Sequence, residues 1–244
     1  MTPCGFAPDW PAPPGVHAWV TERPGGTSEG AYASLNLATH VGDDPTRVAA
    51  NRARLAAALR LPSEPAWLEQ VHGTAIADLD AGAPAAAADG AVTSRSGAVC
   101  AVLTADCLPV LLTTRSGARI AAAHGGWRGL AAGVLQAAVT ALRARPADVI
   151  AWLGPAIGAT AYEVGDDVRA AFLAREPGAV GAFRANGRGR WQADLYTLAR
   201  MSLERAGVSA VHGGGFCTFT DAHRFYSHRR SAPCGRMATL IWRA

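Results

Sequence analysis

Residues 98–124 read AVCAVLTADCLPVLLTTRSGARIAAAH, and this stretch decides the fold. It contains an unbroken apolar run at 98–103 and two mostly apolar segments, at 110–113 and 119–123. Unbroken apolar runs of this length are typical of strands that are buried on both faces of a sheet. We therefore predict three buried strands, separated by turns, at the centre of a layered α/β or α+β (mixed) fold.

Helix and strand patterns alternate on both sides of this centre. Further strands are predicted at 16–20, 66–71, 74–80, 149–153, 208–211 and 237–242. Helices are predicted from a start at 43–45 through the segment 48–59, and at 129–144, 165–175 and 193–206. The helix at 129–144 shows the clearest apolar face. The proline-rich residues 1–15 are predicted to be irregular, and the alanine-rich residues 81–88 to form a surface loop. The chain of 244 residues is long enough for one core, so we expect a single domain over 1–244.

Composition narrows the range of partners. The net charge is +4, and arginine supplies all of the positive charge because the chain has no lysine. This modest excess favours anionic small molecules, while the lack of basic runs interleaved with aromatic residues argues against nucleic acid. No apolar stretch approaches the length of a membrane span, and nothing indicates an obligate protein partner. The five cysteines have no paired spacing and no signal peptide precedes them, so we expect a cytoplasmic protein with reduced thiols.

Three side chains suited to metal binding occur where predicted strands end. They are His72, Cys107 and His124. Two imidazoles and one thiolate suit zinc or copper and leave one coordination position open for water or substrate. Ends of buried strands converge, so we predict that the three side chains meet in space. Asp106 is placed to orient a ligand or to carry a proton.

Two other interpretations remain open at this point. Cys107 and a histidine would also suit a nucleophile and base that work without metal. Each of the three residues also occurs in proteins without any chemical role. Spacing does not decide among these, since no local motif such as HExxH joins the residues.

Several arginines are candidates for binding an anion. Arg128 follows a double glycine at a predicted helix start, where both the helix end and the guanidinium favour phosphate. Arg230 lies beside aromatic residues in the segment 225–230, and Arg52 is a further candidate. The remaining histidines near polar segments are expected to be structural: His40, His212, His223 and His228.

These motifs together resemble the bacterial YfiH-like family, also labelled multicopper polyphenol oxidase or laccase-domain proteins. The resemblance covers most of the chain. Its motifs are SLNL at 34–37, VGDDP at 41–45, NR at 51–52, QVHG at 70–73, TADCLP at 104–109 and AHGGWRG at 123–129. The last three are the most specific. The segment FYSHRR at 225–230 is similar to a family segment that usually has another aromatic residue in place of His228.

The resemblance implies a four-layer α/β/β/α fold in which His72, Cys107 and His124 bind a catalytic zinc ion, with copper possible. It implies a purine nucleoside phosphorylase that converts adenosine, inosine or methylthioadenosine and phosphate to the free base and ribose 1-phosphate. It also implies adenosine deaminase activity. Our candidates for substrate binding are Asn36, Arg52, Gln70, Arg128 and Arg230.

The family's other label implies a copper-dependent polyphenol oxidase. A multicopper cluster needs many imidazole ligands, whereas this chain has seven histidines and no His-x-His pair. Zinc has no redox chemistry, so phenol oxidation would require copper in its place. We therefore rank this activity below phosphorolysis.

Overall fold

The computed structural model describes residues 4–82 and 87–244. Its strands are β1 (Gly5–Phe6), β2 (Val16–Thr21), β3 (Ile76–Asp78), β4 (Gly90–Thr93), β5 (Val99–Thr104), β6 (Leu108–Thr114), β7 (Ile120–Gly125), β8 (Val149–Leu153), β9 (Glu163–Val164), β10 (Phe183–Ala185), β11 (Trp191–Ala193), β12 (Ala210–Gly213) and β13 (Met237–Arg243). Its α-helices are α1 (Pro45–Leu59), α2 (Trp127–Ala132), α3 (Val134–Ala141), α4 (Asp166–Leu173) and α5 (Leu195–Arg205). Within these residues, no helix has the length and apolar character needed to cross a bilayer.

The strands form two large sheets and one small one. A four-stranded sheet has the order β1-β2-β13-β5, and a six-stranded sheet has the order β12-β8-β6-β7-β4-β3. Strands β10, β11 and β9 form a small antiparallel sheet beside helix α4. The three strands predicted within 98–124 are confirmed as β5, β6 and β7, and all of their residues are buried. They do not share one sheet, because the chain leaves the four-stranded sheet after β5 and enters the six-stranded sheet at β6.

Three apolar cores join these sheets and helices into four layers. The core between the two large sheets includes Val20, Val102, Leu111, Ala122, Trp152 and Ile241. Helix α1 covers the outer face of the four-stranded sheet, where Leu55 packs with Ala101 and Leu240. Helices α2 to α5 cover the outer face of the six-stranded sheet, where Leu135 and Leu198 belong to the same core as Leu112. The mixed α/β/β/α arrangement of a single domain is therefore as expected.

Two predicted elements are wrong. Residues 66–71 do not form a strand; they make only isolated bridges at Ala66 and Glu69. The predicted helix 129–144 is two helices, because Gly133 adopts a φ of 104° that ends α2 and begins α3. Glycine adopts this conformation readily, whereas residues with a side chain rarely do. Apolar residues keep their helical spacing on both sides of Gly133, so the apolar pattern alone does not reveal the break.

Smaller differences occur elsewhere. The strand predicted at 208–211 is displaced to Ala210–Gly213, and the one predicted at 74–80 is confined to Ile76–Asp78. Within residues 1–15, Gly5–Phe6 pairs with β2. Part of the surface loop predicted at 81–88 lies outside the described residues.

Candidate metal centre

His72, Cys107 and His124 come together at one edge of the sheets. Cys107 lies where the chain crosses from β5 to β6, and His124 is on β7, which pairs with β6. Cys107 Sγ is 3.9 Å from His72 Nε2, and the ligand atoms of the three residues all lie within 4.8 Å of one another. Ligands of a tetrahedral zinc ion are about 3.5 Å apart, so a small closure of the side chains would complete the site. Three protein ligands leave one position for water or substrate.

Asp89 positions both histidines. Its side chain is fully buried and accepts a hydrogen bond from His124 Nδ1 at 2.8 Å. It also accepts hydrogen bonds from the amides of Val71, His72 and Gly73 at 3.2, 2.9 and 2.5 Å. A carboxylate only accepts, so Nδ1 of His124 carries the proton and Nε2 is left to bind a metal. Carboxylate partners of this kind orient histidine ligands in metalloproteins.

Without a metal, the charges at the centre pair a Cys107 thiolate with a protonated His124, and a metal that binds there would displace the proton from Nε2. Burial raises the pKa of Cys107, but hydrogen bonds and charge from His124 and His72 outweigh burial and lower it to about 6. Burial lowers the pKa of His124, while hydrogen bonds with Asp89 and Cys107 raise it to about 9. The same His124 bond and the amide donors lower the pKa of Asp89 although burial opposes them. Cys107 is therefore a thiolate at neutral pH, which is the form that binds zinc.

The backbone around the centre is close-packed and locally strained. His72 and Asp106 have φ values of 60° and 85°, in the left-handed region that residues with side chains seldom occupy. Gly126 lies against the ligands, since a Cβ atom there would be 2.5 Å from His72 Cδ2 and 3.4 Å from Cys107 Sγ. Such strain is commonly retained where a functional site requires it.

The centre opens into a cavity of about 270 Å³. This is close to the lower end of the range for small-molecule sites, roughly 300–1,000 Å³. Beyond the three ligands, its lining is His40, Gln70, Leu103, Thr104, Ala105, Asp106, Ile157, Tyr162, His228, Arg229 and Arg236. Burial raises the pKa of Tyr162, so its hydroxyl stays protonated.

Two arginines bring positive charge to a neutral histidine, His40, at this cavity. Burial lowers the pKa of His40, and the positive charges of Arg236 and Arg52 lower it further. Arg52 stacks on Trp67, with its guanidinium carbon 4.2 Å from the ring centroid, and its Nε donates to Leu37 O at 2.9 Å. The terminal nitrogens of Arg52 are not used in that bond. Positive charge gathered in a concave site attracts anions.

Of the five residues predicted to bind substrate, only Gln70 lines the cavity. Its side chain is already paired with the backbone N–H and C=O of Leu103, at 2.8 and 2.9 Å. Arg52 does not line the cavity, but its positive charge helps to lower the pKa of the cavity residue His40. Asn36 is fully buried and bonds Ala38 and Asp43.

The other two predicted arginines lie off the cavity wall. Arg230 donates to the carbonyl oxygens of Thr218, Phe219 and Phe225. Arg128 is exposed and stacks on Trp127, with 4.5 Å between its guanidinium carbon and the ring. Neither side chain is among the residues that line the cavity.

Asp106 lies on the cavity wall and accepts hydrogen bonds from two residues much later in the chain, Thr218 and Arg229. One of its carboxylate oxygens accepts from Thr218 Oγ1 at 2.6 Å, and the other accepts from the Arg229 amide at 2.7 Å. Arg229 itself stacks on Tyr162, with 5.4 Å between its guanidinium carbon and the ring centroid. Asp106 thus fixes the backbone of a residue that lines the cavity.

Sequence reasoning missed several residues of this site. Asp89 follows an alanine-rich stretch and belongs to no recognised motif, so its only signal is an acidic residue directly before an apolar strand. His40 and His228, which were expected to be structural, line the cavity, as do Tyr162 and Arg236.

The described residues define a four-layer single-domain fold with a His-Cys-His group at the sheet edge, and known proteins share this fold. A Neisseria meningitidis protein of known structure superimposes with a TM-score of 0.94, at 48% identity over 98% of both chains. A purine nucleoside phosphorylase of Pseudomonas aeruginosa is 52% identical over 97% of each chain. The purine nucleoside phosphorylase YfiH of Escherichia coli is 50% identical over 97% of this chain and 98% of its own.

The family described as multi-copper polyphenol oxidoreductase laccase matches residues 17–244. The chain therefore belongs to this family, whose YfiH-like members its motifs resemble, and the resemblance is confirmed.

Proposed function

We propose that this protein is a zinc-dependent purine nucleoside phosphorylase. It would convert adenosine, inosine or methylthioadenosine and phosphate to the free purine and the pentose 1-phosphate. The observation that carries this proposal is one cavity that combines a three-ligand metal centre with a cationic wall. Its relatives named purine nucleoside phosphorylase are half identical over nearly the whole chain, which supports the same assignment.

The cationic wall is the proposed site for phosphate. Arg236 and His40 line the cavity, and the positive charge of Arg52 also acts on His40. Arginine binds phosphate oxygens through charge-assisted hydrogen bonds, which are stronger than bonds between neutral groups. Arg230 is a poorer candidate than the sequence indicated, because three backbone carbonyls already occupy its guanidinium. Arg128 is poorer because it lies outside the cavity lining.

Phosphorolysis breaks the bond between C1′ of the ribose and the purine nitrogen. A phosphate oxygen forms the new bond to C1′, and the purine leaves with the electron pair. Arg236 and His40 would hold the phosphate in position, which lowers the entropic part of the barrier. Tyr162 keeps its proton and can donate a hydrogen bond to a bound group. A zinc ion would supply a Lewis-acid charge to polarise the substrate.

Adenosine deamination is a second candidate reaction. It needs a group that carries a proton beside the metal ligands, and Asp106 precedes Cys107 and lines the same cavity. Both oxygens of Asp106 already accept hydrogen bonds from Thr218 and Arg229. Proton transfer through this carboxylate would weaken one of them, so we rank deamination second.

Two further alternatives make different demands. A multicopper oxidase needs several clusters of ligands, but the searched part of the chain, 4–82 and 87–244, contains a single group of three. Polyphenol oxidation would therefore depend on one copper ion at this centre. A metal-free hydrolase would use Cys107, whose thiolate lies near His72.

The decisive experiment is incubation of purified protein with inosine, with and without phosphate. We expect hypoxanthine and ribose 1-phosphate only when phosphate is present. Equal amounts of hypoxanthine in both samples would indicate a hydrolase and would overturn the proposal. The same assay with adenosine separates adenine, the product of phosphorolysis, from inosine, the product of deamination.

Metal dependence needs a matched pair of variants. Cys107→Ala removes a ligand, whereas Cys4→Ala removes an exposed thiol that does not line the cavity. We expect the first variant to lose activity and the second to keep it. We also expect zinc to restore activity to chelator-treated protein. Full activity after complete removal of metal would favour the cysteine hydrolase.

A further inference from the structure

A second cavity lies at the ends of β6 and β7 that are opposite to the metal centre. It has a volume of about 410 Å³, and its lining includes Thr114 at the end of β6 and Arg119 directly before β7. Cys107 directly precedes β6, and His124 lies near the end of β7. Strands rise about 3.3 Å per residue, so the length of β7 places the two cavities roughly 20 Å apart.

Four arginines line this second cavity, which we call the arginine cavity. Two belong to the connection between β6 and β7, and two follow helix α3: Arg115, Arg119, Arg143 and Arg145. Among the described residues of its lining, Asp148 is the only acidic one and none is aromatic. The cavity therefore presents mainly positive charge.

The neighbouring carboxylates balance only part of this charge. Asp148 pairs with Arg145 at 2.8 Å. Asp78, which is outside the lining, pairs with Arg143 at 3.1 Å and with Arg119 at 3.8 Å. The four guanidinium groups thus share two carboxylates, and the positive charge that remains attracts anions.

Arg119 is the least mobile member of this group. Its side chain is only 17% exposed, whereas the side chains of Arg143 and Arg145 are 70% and 83% exposed. Asp80 does not balance the excess charge, because it is itself paired with Arg95 at 3.7 Å. The cavity thus combines one anchored positive charge with guanidinium groups that reach into solvent.

The exposed arginines keep hydrogen-bond donors for a ligand. Arg115 donates through Nε to a backbone carbonyl oxygen at 3.3 Å, and Arg145 donates through Nε to Asp148 at 2.8 Å. Arg143 donates through Nη2. Within the described part of the chain, the terminal nitrogens of Arg115 and Arg145 and Nη1 of Arg143 make no hydrogen bond. All three side chains are exposed, so a ligand in the cavity can reach these donors.

We propose that the arginine cavity binds a small anion with two linked phosphate groups, of which diphosphate is the simplest. A phosphate group pairs with a guanidinium through two parallel N–H donors, so two linked phosphates can engage several of these side chains at once. The lining has no aromatic side chain on which a nucleic-acid base could stack, which favours a small anion over a nucleic acid. This site does not depend on the proposed phosphorylase activity.

The test is calorimetric titration of the full chain with diphosphate and, separately, with orthophosphate. We expect diphosphate to bind about tenfold more tightly than orthophosphate, because the second phosphate adds charge-assisted hydrogen bonds. Absence of diphosphate binding, or equal affinity for the two anions, would overturn the proposal.

Variants with opposite changes of charge locate the binding. Arg115→Gln and Arg145→Gln each remove one positive charge and should weaken diphosphate binding about tenfold. Asp148→Asn removes the acidic residue of the lining and should strengthen binding about threefold. Arg54→Gln, at an exposed position of helix α1, is the matched control and should leave the affinity unchanged. Equal losses in the control and in the two cavity variants would indicate nonspecific binding to surface charge and would refute the site.

The phosphate site proposed in the metal cavity needs a control of its own. Diphosphate could bind there or to a metal ion, so Cys107→Ala and Arg236→Gln are titrated as well. We expect both variants to keep the diphosphate affinity of the wild-type protein. Loss of binding in either of them, with normal binding in Arg115→Gln and Arg145→Gln, would place diphosphate in the metal cavity and refute the arginine cavity.

Discussion

Replacement of Asp89 by asparagine tests how the metal centre is held. Asp89 accepts four hydrogen bonds, two on each carboxylate oxygen. Asparagine keeps the shape but replaces one oxygen with an NH2 group, so two of the four donors lose their acceptor. The free energy of unfolding should fall by about 2–4 kcal/mol, and zinc affinity by about tenfold to a hundredfold.

The assay combines urea unfolding with zinc competition against a chromophoric chelator. Asp80→Asn is the matched control, because Asp80 also accepts hydrogen bonds, from Thr93 and Ser94, but does not line the metal cavity. We expect the control to lose stability and keep its zinc affinity. Zinc binding of wild-type strength in Asp89→Asn, or an equal loss in both variants, would refute the role given to Asp89.

Three further predictions concern sterics, substrate and pH. Gly126→Ala should lower zinc affinity because its Cβ would displace His72, while Gly181→Ala, which meets nothing within 4 Å, should not; chelator competition measures both. Arg236→Gln should raise the KM for phosphate about tenfold to a hundredfold and leave the KM for inosine nearly unchanged, as steady-state kinetics at varied phosphate will measure. Burial raises the pKa of Asp80, but hydrogen bonds with Ser94 and Thr93 lower it from 3.8 to about 2. Asp80 therefore adds stability above about pH 4 that is lost as the pH falls toward 2, and the urea midpoint of Asp80→Asn should change less over that range.

Local apolar patterns predicted the central strands well. The run that forms β5 is apolar at successive positions because both faces of the strand are covered, by the inter-sheet core and by the core under α1. The assignment of β5 to a different sheet from β6 and β7 depends on pairing with β13, about 140 residues further along the chain. No local signal encodes that pairing.

The convergence of His72, Cys107 and His124 was predicted, but the residues that hold them in place were not. His72, Cys107 and His124 stand beside glycine or at strand ends, which is a visible feature of the sequence. The segment 66–71 resembled a strand, yet the side chain of Gln70 forms the hydrogen bonds to the backbone of Leu103 in β5. The backbone amides of residues 71–73 donate to the carboxylate of Asp89. Hydrogen bonds from side chains here replace the backbone hydrogen bonds of a strand. The apolar pattern of the sequence is the same in both cases, so it does not reveal the difference.

The sequence also does not predict which partners an arginine side chain will contact. Arg230 and Arg236 lie close together in the sequence and have the same charge. Both terminal nitrogens of Arg230 donate to carbonyl oxygens, whereas Arg236 uses only Nη1 in this way, toward Cys234 and Gly235, and lines the cavity. Only the tertiary path of the loop before β13 decides which guanidinium faces the cavity.

Elemental analysis of the purified protein tests the central assignment most directly. Wild-type protein and the Cys4→Ala variant should each contain about one zinc ion per chain, and Cys107→Ala and His124→Ala should contain almost none. Zinc retained in full by both ligand variants would contradict a centre built from His72, Cys107 and His124.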